Sequence, residues 1–298
     1  MYSEKLEEVI SAALADGNLT EQKRNIIMRR AGKEGEDVEE VMMVVESRLF
    51  SQAKVQPKQT TPKSKAIKKT HVDGNFIETV NGVSFKMVKV EGGKFTMFSK
   101  SQDACIPAKP QEVTLDDYYI CETVVTQELW KAVMGRKFPL LDFIGDKLPV
   151  NNLTWEESYQ FINKLSALTN KNYHLPSEAQ WEYAAIGGKK SHGYRYAGSD
   201  DIKKVGWFKI NEMKPVAQLM PNELGLYDMS GNCYEFCEDN LVENPILNGS
   251  KNPIVRTTPK GFRIVRNTPF DSYVISVGDR NWCPCDRRQN GYGFRIAL

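Results

Sequence analysis

The chain has 298 residues, a net charge of +2, and 41% hydrophobic and 26% charged residues, the composition of a globular protein rather than a disordered or membrane-embedded one. No stretch reaches the roughly 20 apolar residues that span a bilayer. Charges in MYSEKLEEVI stand where a signal peptide has its apolar core, which predicts a cytoplasmic chain without a membrane partner.

Residues 1–50 hold 7 basic and 11 acidic residues and show helical periodicity. Leu6, Val9, Ile10, Ala13 and Leu14 fall on one helical face, and Asp16-Gly17-Asn18 breaks it. Thr20 can cap a second helix carrying Ile26, Ile27 and Ala31, and Asp37 a third carrying Val38, Val41, Met42, Val45 and Leu49. The run from Asp16 lacks the later glycine and closing glutamate of an EF-hand calcium loop, so it reads as a metal-free helix-loop-helix. The segment LADGNLTEQKRNIIMRRA resembles the small helical modules related to tellurite-resistance TerB proteins. That resemblance implies an interaction module with a protein partner and no chemistry.

Residues 51–72 contain six lysines and no acid, among prolines, Gln, Thr and Ser with no apolar periodicity. Such a segment cannot bury enough to offset the entropy of ordering, so 51–74 reads as a flexible basic linker. Lysines suit phosphate, but no aromatic residue is interleaved for base stacking, which makes nucleic acid the weaker reading.

From residue 75 to 298 the texture changes to short strand-like runs, glycine turns and aromatics. Residues 85–90 alternate, and Gly92-Gly93 turns the chain into a further run at 94–97. Trp155, Tyr159, Ile162 and Leu165 predict a helix over 156–168, and Ser177 after Pro176 caps a second that runs to Ala185. The sum is an α+β domain with much irregular backbone, preceded by a small all-α module.

Four stretches carry a family resemblance: PVNNLTWEESYQFINKL (149–165), YHLPSEAQWEYAAIGG (173–188), PVAQLMPNELGLYDMSGNCYEFCED (215–239) and the terminal GFRIAL (293–298). In this order they resemble the formylglycine-generating enzyme, or sulfatase-modifying factor, family. The resemblance implies a loop-dominated variant of the C-type lectin fold over 75–298. Read as residues, Trp181, Tyr183, Ala184 and Ala185 are fold determinants that pack a helix, while Gly225, Gly231 and Asn232 serve turns. Asn232 and Glu235 are oxygen donors beside tight turns, where some relatives hold structural calcium, so a calcium site stands beside the structural reading.

The family's chemistry, as the resemblance implies it, oxidises a substrate cysteine with copper(I) held by two cysteines near the C-terminus. Soft thiolates suit that ion. Counting back without gaps from Gly293-Phe294-Arg295 puts the family's alanine-alanine-arginine on Arg280 and the two cysteine positions on Ser272 and Val277, neither of which can supply a thiolate. Cys283 and Cys285 stand nearby with Pro284 between them, but they are too close together for the family's pair and have no His partner close by. The sequence therefore argues against copper. No Ser-His-Asp or Cys-His set can be nominated, and GGKKSHG (187–193) lacks P-loop spacing.

Residues 261–298 contain no Lys, Glu or Met, and positive charge there is carried by Arg alone. With Tyr, Trp, Asn and Ser filling the rest, this is the vocabulary of paratopes. The combination resembles the variable proteins of diversity-generating retroelements, in which adenines of Asn-type codons are randomised just before a terminal Gly-Phe-Arg segment. Such codons cannot encode Lys, Glu, Met, Gln or Trp, so Trp282 and Gln289 would be unvaried template residues. The resemblance implies a binding region over 266–298 for a protein or other macromolecule, centred on Asp279, Asn281, Trp282, Cys283, Pro284, Cys285, Arg287, Arg288, Gln289, Asn290, Gly291 and Tyr292. Trp282 and Tyr292 are expected on the surface, and Phe294 and Ile296 in the core. An oxidase remains the alternative.

Overall fold

The computed structural model describes residues 3–14, 21–36, 41–42, 44–45, 74–100, 106–135, 143–257, 261–273, 276–288 and 290–298. The Asp16-Gly17-Asn18 break, the caps at Thr20 and Asp37, the linker lysines, and Gln289 lie outside the described residues. The chain divides into two units, residues 1–67 and 68–298.

In the first unit, α1 (Glu4–Leu14) and α2 (Glu21–Lys33) are helical, as are residues 41–42 and 44–45. Leu6, Ile10 and Leu14 of α1 bury against Ile27 and Ala31 of α2 and against Val41 and Val45. The three-and-four spacing that predicted the helices is what brings these side chains to one face.

Among the described residues, the second unit contains three sheets. The first joins β1 (Phe76–Val80), β2 (Val83–Val90) and β5 (Tyr118–Cys121) in the order β1-β2-β5. Asn81 and Gly82, both at positive φ (48° and 85°), close its two-residue hairpin, a turn chemistry suited to the twist of paired strands. The Gly92-Gly93 turn leads into β3 (Gly93–Met97), but β2 and β3 do not form a hairpin: β3 pairs with β4 (Gln111–Leu115) in a separate sheet. Gly92 is needed there because a Cβ would fall 2.2 Å from the Leu115 carbonyl oxygen.

The third sheet contains β6 (Tyr234–Asn240), β7 (Phe262–Arg266), β8 (Arg280–Pro284) and β9 (Tyr292–Phe294), in the order β8-β7-β6-β9 with β9 parallel to β6. Four helices flank these sheets among the described residues: α3 (Gln127–Met134), α4 (Trp155–Thr169), α5 (Glu178–Ala185) and the short α6 (Ile202–Val205). Capping boxes start α4 (Thr154 with Glu157) and α5 (Ser177 with Gln180), satisfying N–H groups that have no partner inside a helix.

In this unit, two large apolar cores and a smaller one around Val124, Met213, Cys233 and Phe270 form among the described residues. In one, Trp130 of α3 stacks on Phe161 of α4 at 5.4 Å, and both meet Phe294 of β9 edge-on. In the other, Trp181, Tyr183, Ala184 and Ala185 of α5 pack with Val113, Ile120 and Ile264. Phe294 and Ile296 are buried, as the alternation at the C-terminus predicted.

Candidate recognition surface

The four-stranded sheet is held by buried arginines. Arg295, from the terminal Gly-Phe-Arg, donates all five of its N–H groups: to Glu235 Oε1 and Oε2 (both 2.9 Å) and to the carbonyls of Cys121, Glu122 and Tyr227. Trp181 Nε1 donates to the same Glu235 at 2.7 Å. Three of the sequence motifs therefore meet at one buried ion pair.

A second network lies under β7 and β8. Glu178 accepts from Arg280 Nε at 2.6 Å and from Arg266 Nη1 at 2.9 Å, and Glu182 accepts from Arg266 at 3.0 Å and from Phe98 N at 2.7 Å. Burial alone would raise the Glu178 carboxyl, but Arg280 and Arg266 outweigh it and hold it below its ordinary value. Burial wins at Glu182, which is raised, and at Asp239, pushed up to about 7. Asp239 accepts from Glu178 N and Val255 N, both at 2.8 Å.

Within the predicted binding set of twelve, five residues belong to this scaffold. Asp279 is buried, accepting from Thr268 Oγ1 at 3.0 Å and Ser276 N at 3.3 Å, so it pins a loop rather than facing solvent. Cys283 and Cys285 are buried in the first core, because inward positions of β8 and the following residue face it. Gly291 is buried at φ 82°, its carbonyl accepting from Tyr234 N at 2.8 Å. Tyr292 corrects the expectation of exposure most clearly. It is 6% exposed, with its ring 4.7 Å from Tyr234 and 5.9 Å from Phe236, because β9 inserts beside β6 and turns this side chain into the core.

The remainder forms a surface. Trp282 is 40% exposed and meets the 47% exposed Phe262 edge-on at 4.5 Å. Arg287, Arg288 and Asn290 are exposed, as is Asp286. Arg288 pairs with Glu157 and donates to the Asn152 carbonyl at 3.2 Å, tying the loop to the start of α4. Asn281 and Pro284 are half-buried, and Asn281 Nδ2 donates to the Tyr234 hydroxyl at 2.9 Å. The sequence reading missed Phe262, because Phe262, Ile264 and Arg266 share a strand face whose other members are buried. Only the end of the sheet exposes it.

The geometry does not favour calcium at Asn232 and Glu235. Glu235 is neutralised by Arg295 with both oxygens bonded, and Asn232 exchanges hydrogen bonds with Lys214 N and O at 3.0 Å, so neither has an oxygen directed to calcium. At the positions that the family resemblance implies for copper, Ser272 is half-buried and Val277 buried, and neither side chain offers a soft ligand. Burial pushes the Cys283 thiol up to about 11 and raises Cys285. Among the described residues, no group of three or more His, Cys, Asp or Glu is placed to hold a metal. No described helix is long and apolar enough to cross a membrane.

The chain is similar to several known proteins. It is 33% identical over 208 residues to the chaperone protein LppX of Paenibacillus barcinonensis, covering 52% of this chain and 71% of that one. It is 30% identical over 173 residues to the formylglycine-generating enzyme of Streptomyces coelicolor, covering 50% of this chain and about half (52%) of the enzyme. Among solved structures, Treponema denticola variable protein 1 superposes with a TM-score of 0.63 at 27% identity, over 76% of this chain and 99% of that one. Residues 78–298 match the sulfatase-modifying factor enzyme 1-like domain, and the chain belongs to that family.

Proposed function

We propose that this chain is a non-catalytic recognition protein that holds a protein or other macromolecular ligand on the surface formed by Trp282, Phe262, Arg287, Arg288 and Asn290. The observation that carries this reading is the boundary inside residues 279–292. Asp279, Arg280, Cys283, Cys285 and Tyr292 are buried in the scaffold, while an aromatic pair and two arginines beside them face solvent. Such residues supply contact area and adaptable donors at low entropic cost. Likeness to a variable protein supports a retroelement-diversified terminus. Asp286, Arg287, Arg288 and Asn290 are all reachable from randomised Asn-type codons and are all exposed, with Trp282 as an unvaried anchor. Among the described residues, five cysteines are buried free thiols, which fits a reducing cytoplasm. For the helical module, the reading is a protein partner.

The test is a displayed library varied at 286–288 and 290 and selected against a folded protein target. Binders should keep the parent's melting temperature and lose binding on Trp282→Ala. A library that mostly fails to fold, or binding that survives Trp282→Ala, overturns the reading. Likeness to the S. coelicolor enzyme favours the second reading, an oxidase, and copper-dependent conversion of a Cys-containing sulfatase peptide to formylglycine would establish it.

A further inference from the structure

Charge is unevenly shared within the helical module. Of the seven basic residues in 1–50, five (Lys23, Arg24, Arg29, Arg30 and Lys33) lie on α2, with one of the eleven acids, Glu21. The face of α2 that carries Ile27 and Ala31 is spent on the module's core. Away from it, Ile26, Arg29, Arg30 and Lys33 follow one another at three- and four-residue steps, the spacing that stacks side chains on one helical face. Ile26 is 57% exposed there, and Arg29 and Lys33 are exposed beside it.

These cations differ in what holds them. Arg30 pairs with Glu34 one turn on, and Lys23 and Arg24 are half-buried. Among the described residues, no ion pair or side-chain hydrogen bond reaches Arg29 or Lys33. A partner that covered Ile26 would also cover these two charges, and burying an unpaired cation is strongly unfavourable. The partner must therefore bring its own carboxylates. An anionic membrane fits less well, because an interfacial helix inserts its whole apolar face and α2 has committed its own to the core. A nucleic acid fits less well too, since α2 has no aromatic side chain for base stacking and sets an isoleucine among its cations.

We propose that α2 docks an acidic segment of a protein partner, with Asp or Glu side chains against Arg29 and Lys33 and an apolar side chain on Ile26. The proposal deepens the reading of the module as a protein-interaction module and rests on it. Attraction between opposite charges steers the encounter, and the isoleucine supplies the close contact. No existing ion pair has to open, because Arg30 keeps Glu34 while Arg29 and Lys33 take the partner's carboxylates. Met28 is 42% exposed but stands two residues from Ile26, hence off this face, and takes no part.

The experiment is a selection of phage-displayed random dodecapeptides on the full chain, with counter-selection on Ile26→Asn, which removes the apolar contact and keeps every cation. Survivors should be richer in Asp and Glu than the starting library, and their affinity, read by fluorescence anisotropy, should fall as salt rises. Replacing both cations, Arg29→Gln with Lys33→Gln, should weaken them at least about tenfold with an unchanged melting temperature. Met28→Ala and Trp282→Ala should leave binding unchanged, the second because the C-terminal recognition surface carries none of these residues. Survivors without an acidic excess, or indifferent to the double variant, overturn the proposal while the module's role in protein binding stands. No survivors at all overturn both. Binding of phosphatidylserine vesicles or of oligothymidine that is lost in the double variant also overturns the proposal, as does self-association of the chain that this variant abolishes.

Discussion

Arg295 shows what one residue can decide in this fold. Its guanidinium is fully buried, and burial is offset because every N–H has an acceptor and Glu235 supplies the counter-charge. Removing one partner of a buried pair strands the other, at about 3–5 kcal/mol. Arg295→Met should therefore lower unfolding stability by that order in a denaturant titration, and a loss under about 1 kcal/mol would mean that Glu235 finds another partner. The two aromatics of the C-terminal region separate in the same experiment. Tyr292→Ala opens a cavity in the first core and should cost about 3 kcal/mol or more. Trp282→Ala removes a half-exposed ring whose one aromatic contact is Phe262, and should cost about 1 kcal/mol or less. Equal losses at the two positions would place Trp282 in the scaffold and remove it from the recognition surface.

At the scale of elements, α5 depends on its start. It has only eight residues, too few to be stable alone, and Ser177 accepts from Gln180 N while Gln180 returns the bond to Ser177 N. Ser177→Ala should cost about 1 kcal/mol, measured by thermal unfolding, with Gln180→Ala costing a comparable amount and the double variant less than the sum. β8 is an edge strand, and its outer side is blunted. The Trp282 N–H donates to its neighbour Asn281 Oδ1 at 2.8 Å, and Pro284 has no N–H to offer. The strand can thus carry an exposed tryptophan without inviting another chain to pair along its backbone. A side-chain contact surface is what this edge presents.

Across the whole second unit, buried acid exceeds buried base around Arg266 and Arg280, and this sets how stability responds to pH. Asp239 and Asp228 are pushed up from 3.8 to about 7 and about 6, chiefly by burial, and Glu182 is also raised. The folded chain therefore binds more protons than the unfolded chain between about pH 4 and pH 7. Stability contributed by these groups is fully present below the unfolded value and is lost as pH rises through the folded values. Glu178 acts in the opposite sense, but its lowered pKa confines that effect to more acidic solution. The melting temperature should fall from about pH 5 to about pH 8, and Asp239→Asn should flatten the slope. A melting temperature that rises across that window would show that these acids are not the dominant titrating groups.

Periodicity and turn chemistry made α1, α4 and α5 legible, since Leu6 with Ile10, Trp155 with Ile162, and Ser177 with Gln180 are local relations fixed by helical geometry. The alternation of Phe294 and Ile296 was equally readable, because spacing needs no partner to be seen. Which residues of 279–292 face water was not. Tyr292 and Trp282 are both large aromatics among turn formers, and nothing local tells them apart. The difference arises because β9 inserts in parallel beside β6 whereas β8 ends the sheet, a pairing between residues far apart in the chain. The same holds for Asn232 and Glu235. As a sequence they are free oxygen donors, and only the approach of Arg295 and Lys214 engages them and leaves none for a cation. Local chemistry specified the elements. Long-range pairing decided which polar and aromatic groups were neutralised or buried, and so which remained available to bind.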